Sequence, residues 1–187
     1  MKYSDISDLD LLKKLLGARE SRKVYARSLR SLFDCSEGAC GHDKLLVARE
    51  LVKRWLKEDL EQQCMLSAPS QVREYLRIML ADKEHEIFVV LYLDAQNRLI
   101  ASEELFRGTL TQTSVYPREV VKRALRNNAA AAILAHNHPS GVAEPSHADE
   151  ALTQALKQAL ALVDVKVLDH FIIAGASVVS MAERGLL

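Results

Sequence analysis

The chain of 187 residues has no apolar run approaching the roughly 20 residues that cross a bilayer, so no membrane partner is expected. Its first residues, Met1-Lys2-Tyr3-Ser4-Asp5, lack the apolar core of a secretory signal. Cysteine is scarce: three residues, an odd number, make no disulfide framework, and a reducing cytoplasm is the expected setting. Cys35, Cys40, His42 and Cys64 also fit no zinc module by their spacing and are read as ordinary side chains. An excess of one charge is missing as well, since 25 basic residues balance 25 acidic ones. Residues 1–66 carry 13 basic and 11 acidic side chains and residues 67–187 carry 12 and 14, so neither part is a basic module. That balance argues against a strong electrostatic hold on nucleic acid.

Against this plain background one segment carries chemistry. His136 and His138 close an apolar run, Ala129 to Ala135, that reads as a buried strand, and residues two apart on a strand project to one face. Pro139, Gly141 and Pro145 then turn the chain. Ser146 opens a helical pattern whose first turn holds Asp149, within reach of both imidazoles. Two imidazoles and a carboxylate suit one divalent ion and leave a fourth tetrahedral position for water, as a catalytic zinc requires. One Zn2+ per chain, held by His136, His138 and Asp149, is therefore expected. Ser146 followed by an acid at the third position is also a helix N-cap with a capping-box partner, and both readings can hold together. His147 is read as a first-turn residue facing solvent.

The rest of the chain divides in two. Apolar stripes at Leu9, Leu11, Leu12, Leu15 and Leu16, at Tyr25, Leu29, Leu32 and Phe33, and from Leu45 to Leu60 through Leu46, Leu51, Val52, Trp55 and Leu56 predict a small helical domain over 1–66. Ser67-Ala68-Pro69-Ser70 reads as a linker. Beyond it, over 67–187, a helix through Val72 to Leu80 precedes a strand over Glu86 to Leu93, a turn at Asp94-Ala-Gln-Asn97 and a strand from Leu99. A helix opens at Pro117, followed by strand 129–136, helix 146–161, strand 165–173 and a short strand near Val178. This alternation predicts an α/β layered domain. Arg118, Lys122 and Arg126 recur every fourth residue and form a basic ridge on one helix face, with Glu119 placed to pair with Arg123.

The pattern His-x-His-Pro-x6-Ser-x2-Asp, met by His136, His138-Pro139, Ser146 and Asp149, resembles the JAMM motif of the MPN/JAB metalloenzymes. Together with Glu104-Leu-Phe-Arg-Gly108, Val115-Tyr-Pro-Arg-Glu-Val-Val-Lys-Arg-Ala-Leu125 and Leu168-Asp-His170, it is similar to the RadC branch, the UPF0758 proteins. The likeness covers residues 67 to 187. It implies a deaminase-like MPN/JAB domain, a mixed sheet flanked by helices, with zinc on His136, His138 and Asp149. It further implies that Ser146 steadies an oxyanion and that an upstream glutamate serves as general acid and base. In the family that glutamate opens a hydrophobic strand, which points to Glu86; Glu84, Glu103 and Glu104 are the alternatives. The implied activity is that of a metallopeptidase or isopeptidase-like hydrolase acting on a peptide or protein. The family also carries a DNA-repair name, so a nucleic-acid-binding protein or a metal-dependent nuclease competes, as does a catalytically silent interaction domain. Its helix-hairpin-helix-like N-terminal region usually has a Gly-hydrophobic-Gly turn. Here Gly38-Ala39-Cys40-Gly41-His42-Asp43-Lys44 spaces the glycines three apart and adds an aspartate, which weakens phosphate binding. Asp169-His170 is read as structural, or at most as support behind a metal ligand.

Overall fold

Strands β1 (Ile87–Leu93) and β3 (Ala131–Asn137) are buried at every position, which is why their sequences are continuously apolar instead of alternating. The computed structural model describes residues 7–24, 43–62, 69–81, 83–108 and 115–187. The other strands are β2 (Leu99–Arg107), β4 (Lys166–Ala174) and β5 (Ser177–Ser180), and the sheet order is β2-β1-β3-β4-β5. Only the β3–β4 pair is parallel, so the sheet is mixed, as expected for the α/β reading. The helices are α1 (Asp8–Leu16), α2 (Ala18–Val24), α3 (Asp43–Gln62), α4 (Pro69–Leu80), α5 (Pro117–Arg126) and α6 (His147–Ala161).

Both sheet faces are covered. Val89, Leu91, Leu93, Ile133 and Ala135 pack with Val72, Tyr75, Leu76 and Leu80 of α4 and with Leu56 and Leu60 of α3. On the other face Phe88, Val90, Tyr92, Ala132 and Leu134 pack with Val120 and Ala124 of α5 and Leu156 and Leu160 of α6. The parallel β3–β4 pair requires a crossover, and α6 supplies it. The crossover sets the N-terminus of α6 beside the carboxyl end of β3.

Residues 1–52 and 53–187 form two compact units. In the first, α1 is capped by Ser7, which accepts from the Asp10 amide, and buries Leu12 and Leu16. The stripe through Tyr25 to Phe33 and the turn from Gly38 to His42 lie outside the described residues, as do Cys35, Cys40 and Cys64. Two expectations are corrected. Pro69 and Ser70 are not linker but the first turn of α4, where proline is tolerated because that N–H has no helical partner. Along α3 the buried positions are Leu45, Leu56 and Leu60, whereas Leu51 and Trp55 are each 61% exposed. At 3.6 residues per turn those three residues share one edge of this 20-residue helix. Among the described residues no helix is long and apolar enough to cross a membrane.

Candidate metal centre

The last residue pair of β3 and the first turn of α6 build the centre. His136 lies on the strand and His138 just beyond it. The turn that follows closes with the Gly141 N–H donating to the His138 carbonyl at 3.1 Å. Gly141 sits at φ +82°, where a side chain would be strained. This reversal carries the Val142 carbonyl back to within 2.8 Å of His138 Nδ1. Ser146 caps α6: its hydroxyl accepts from the Asp149 N–H at 3.2 Å, and its own N–H donates to Asp149 Oδ2 at 2.8 Å. The Ser146 hydroxyl in turn donates to Oδ2 at 2.6 Å. Both donors sit on Oδ2, and Oδ1 faces His136.

Three ligand side chains meet. His136 Nε2 is 2.9 Å from His138 Nε2 and 3.2 Å from Asp149 Oδ1, and His138 Nε2 is 3.5 Å from Asp149 Oδ2. Around a tetrahedral ion with N and O ligands at about 2.0–2.1 Å, ligand atoms stand about 3.3 Å apart. The spacing fits. Exposure grades from 1% at the His136 side chain through 12% at Asp149 to 18% at His138, so the cluster is buried behind and opens to solvent at His138.

Hydrogen-bond directions decide which atoms face the ion. Thr153 Oγ1 lies 2.6 Å from the Asp149 carbonyl, so its single proton must go there. At 2.6 Å from Thr153 Oγ1, His170 Nδ1 must then be the donor, which leaves His170 Nε2 to accept. His136 Nδ1, 2.8 Å from that nitrogen, therefore carries the proton and His136 Nε2 the lone pair. His138 Nδ1 donates to the Val142 carbonyl, which fixes its Nε2 likewise. Burial pushes the fully enclosed His170 well below the usual imidazole range, keeping it neutral as this chain requires.

Without a cation, two lone pairs and a carboxylate repel one another unless a proton intervenes. At His138 the Asp149 hydrogen bond raises the pKa against burial, helped by the Val142 carbonyl and by the charges of Asp149 and Glu86. Burial alone would raise the Asp149 carboxyl, yet the hydrogen bonds it accepts, those of Ser146 among them, hold it below the usual carboxylate range. Metal and proton thus compete for the same three side chains. Among the described residues this is the one group of three or more His, Cys, Asp or Glu arranged to hold an ion.

Residues 66–186 match the sequence profile of the RadC-like JAB domain. The chain belongs to the RadC family. Among similar proteins, the UPF0758 protein Mpe_A2695 of Methylibium petroleiphilum is 65% identical over 150 residues, 80% of this chain and 68% of that protein. The UPF0758 protein NE1464 of Nitrosomonas europaea is 55% identical over 184 residues, 97% of this chain and 82% of that protein. The JAB domain family includes metalloenzymes, and in this RadC chain His136, His138 and Asp149 can hold a metal ion.

The remaining sequence candidates fall into place around that centre. β1 and β3 pair with Phe88 opposite His136. Glu86 immediately precedes β1, is half-buried, and its charge is felt at His138. Glu84 is exposed, two residues further out. Glu103 is bound instead to Asn127 at 2.8 Å and to Arg123 at 3.6 Å. Glu104 pairs opposite Val89, whose side chain packs against α4, on the face away from the histidines. His147 projects into solvent, as expected. The Asp169-His170 pair splits its tasks: Asp169 accepts from its neighbour's N–H, Ser180 and the Ala182 N–H, while His170 reaches His136. Thr153 and Asn137 gave no sequence signal, since each acts on residues that only the fold brings near.

Proposed function

We propose that this RadC chain is a zinc-dependent amide hydrolase of the metallopeptidase or isopeptidase type. The observation that carries the reading is the convergence of His136, His138 and Asp149 at a solvent-facing strand end, where the charge of Glu86 is also felt. Held by His136, His138 and Asp149, an ion would supply Lewis acidity, lowering the pKa of water toward about 7 and polarising a carbonyl. His136 and His138 present unprotonated Nε2 atoms, their rings fixed by His170 and by the Val142 carbonyl. Glu86 accepts the proton of the attacking water and returns it to the leaving amine nitrogen. The oxyanion role that the resemblance implies for Ser146 competes with its bond to Asp149, because the hydroxyl has a single proton. Ser146 acts on the oxyanion only by swinging that proton away, leaving its N–H to hold Asp149.

The basic ridge of α5 does not favour nucleic acid. Glu119 stands 3.5 Å from Arg118 and 3.0 Å from Lys122, and Arg123 turns to Glu103 instead of the expected Glu119. Paired charges of this kind release few counterions from a phosphate backbone. The deciding assay presents the zinc-loaded protein with peptides, isopeptide-linked conjugates, and single- and double-stranded DNA. Amide cleavage that disappears in Glu86→Gln supports the proposal. Cleavage of DNA lost in the same variant transfers the chemistry to phosphodiesters, and zinc binding without any turnover leaves an interaction domain.

Ser146→Gly separates the two serine roles. Glycine serves as a cap to within a few tenths of a kcal/mol of serine, whereas Ser146→Ala costs about 1 kcal/mol. If the hydroxyl chiefly orients Asp149, Ser146→Gly weakens zinc binding by about 10- to 100-fold and recovers turnover at saturating zinc. If it meets the oxyanion, turnover stays about 10²-fold down at full occupancy. Zinc titration followed by single-turnover assays gives both numbers, and a variant unchanged in both reduces Ser146 to a helix cap.

A further inference from the structure

Asn137, between the two metal-binding histidines, points to the opposite sheet face and is 2% exposed. Its amide makes three hydrogen bonds. The Ile87 N–H donates to Asn137 Oδ1 at 2.8 Å, and Asn137 Nδ2 donates to the carbonyls of His85 at 2.9 Å and Lys83 at 3.2 Å. The orientation of the amide is dictated by its partners, because an N–H must meet oxygen and two carbonyls must meet the NH2. These contacts fall where the β1–β3 ladder has run out: its last backbone pair is Phe88 with His136, and residues 83–86 continue without β3 as a partner. On the other side the Gly108 N–H donates to the Glu86 carbonyl at 2.8 Å. Both peptide neighbours of Glu86 are thus tied to one side chain of the ligand strand, and its own carbonyl is tied to the segment after β2.

We propose that Asn137 is a positioning residue that locks Glu86 to the metal-binding strand, so that the proton-transferring carboxylate and the ligands His136 and His138 move as one body. The inference rests on the assignment of Glu86 as general base. The energetic reason is geometric: a base displaced by about 1 Å from its water can lose a factor of about 10² in rate. A side chain on the back of the sheet can hold that distance without touching substrate, and the residue between the two histidines is the one placed to do so.

The test uses Asn137→Ala and, should that variant fold poorly, Asn137→Ser, which keeps one donor. Zinc content and affinity are expected to stay at the wild-type level, since no bond from Asn137 reaches a ligand side chain. Amide exchange at Ile87, protected in the wild type, is expected to become fast. Turnover of the amide substrate is expected to fall about 10²-fold in the wild-type background and not at all in Glu86→Gln, where there is no base left to misplace. An equal loss in both backgrounds, a loss of zinc that parallels the loss of rate, or an unprotected Ile87 amide in the wild type each overturns the proposal. A fully active Glu86→Gln protein refutes the base assignment itself. An inactive Glu86→Gln protein beside an Asn137 variant that is loose at Ile87 but fully active refutes only the lock.

Discussion

His138→Ala is expected to reduce bound zinc to well under one ion per chain while the sheet domain stays folded. The imidazole is one of the three side chains arranged to hold an ion. Losing even a partner that merely orients a ligand costs about 10- to 100-fold in affinity, so losing the ligand costs more. The fold should tolerate the change because His138 stands at the open edge of the cluster and its outer nitrogen bonds only the carbonyl of Val142, itself 61% exposed. His136 is a poorer choice for this experiment. Its removal would strand the buried His170 and Thr153 pair, and any instability would confound the metal measurement. Elemental analysis after gel filtration reads the stoichiometry. Thermal melts supply a second readout, since zinc at 100 times its Kd stabilises the wild type by about 2.7 kcal/mol and should leave the variant unmoved. Full occupancy in His138→Ala would overturn the ligand set.

The grouping of His136, His138 and Asp149 was legible in the sequence because its members are local. A strand of period two and a helix cap of period three place His136, His138 and Asp149 within one βαβ turn, and the apolar runs on either side announce the strand and helix that hold them. The supports behind these ligands were not legible. His170 meets His136 only because β4 lies parallel to β3, a pairing set by the crossover and not by any neighbour in sequence. Thr153 looks like an ordinary helical residue until the helix is laid against that strand. Asn137 was passed over for the same reason: its partners, Lys83, His85 and Ile87, are 50 or more residues away. The errors elsewhere share a cause. Pro69 and Ser70 have the composition of a linker, yet proline suits a first helical turn equally well, and only the packing of Val72, Tyr75 and Leu76 beyond it shows which applies.

Glu86→Gln is expected to keep the zinc and the fold but to lose a factor of about 10² to 10⁴ in the chemical step. Glutamine has the shape of glutamate and preserves the backbone tethers through Gly108 and Asn137, so what it removes is the ability to take a proton. The other acidic candidates cannot readily substitute. Glu103 is held by Asn127 and Arg123 against α5, and Glu104 stands on the sheet face away from the histidines. Glu84 lies on the exposed approach to β1, two residues before Glu86. Rates at saturating zinc, with metal content measured on the same sample, separate lost proton transfer from lost metal. An unchanged rate would remove Glu86 from the mechanism and make Glu84→Gln the next variant. A reduced rate that adding zinc restores would mean that the carboxylate acts through His138, whose affinity for a proton it helps to set, and not on the water.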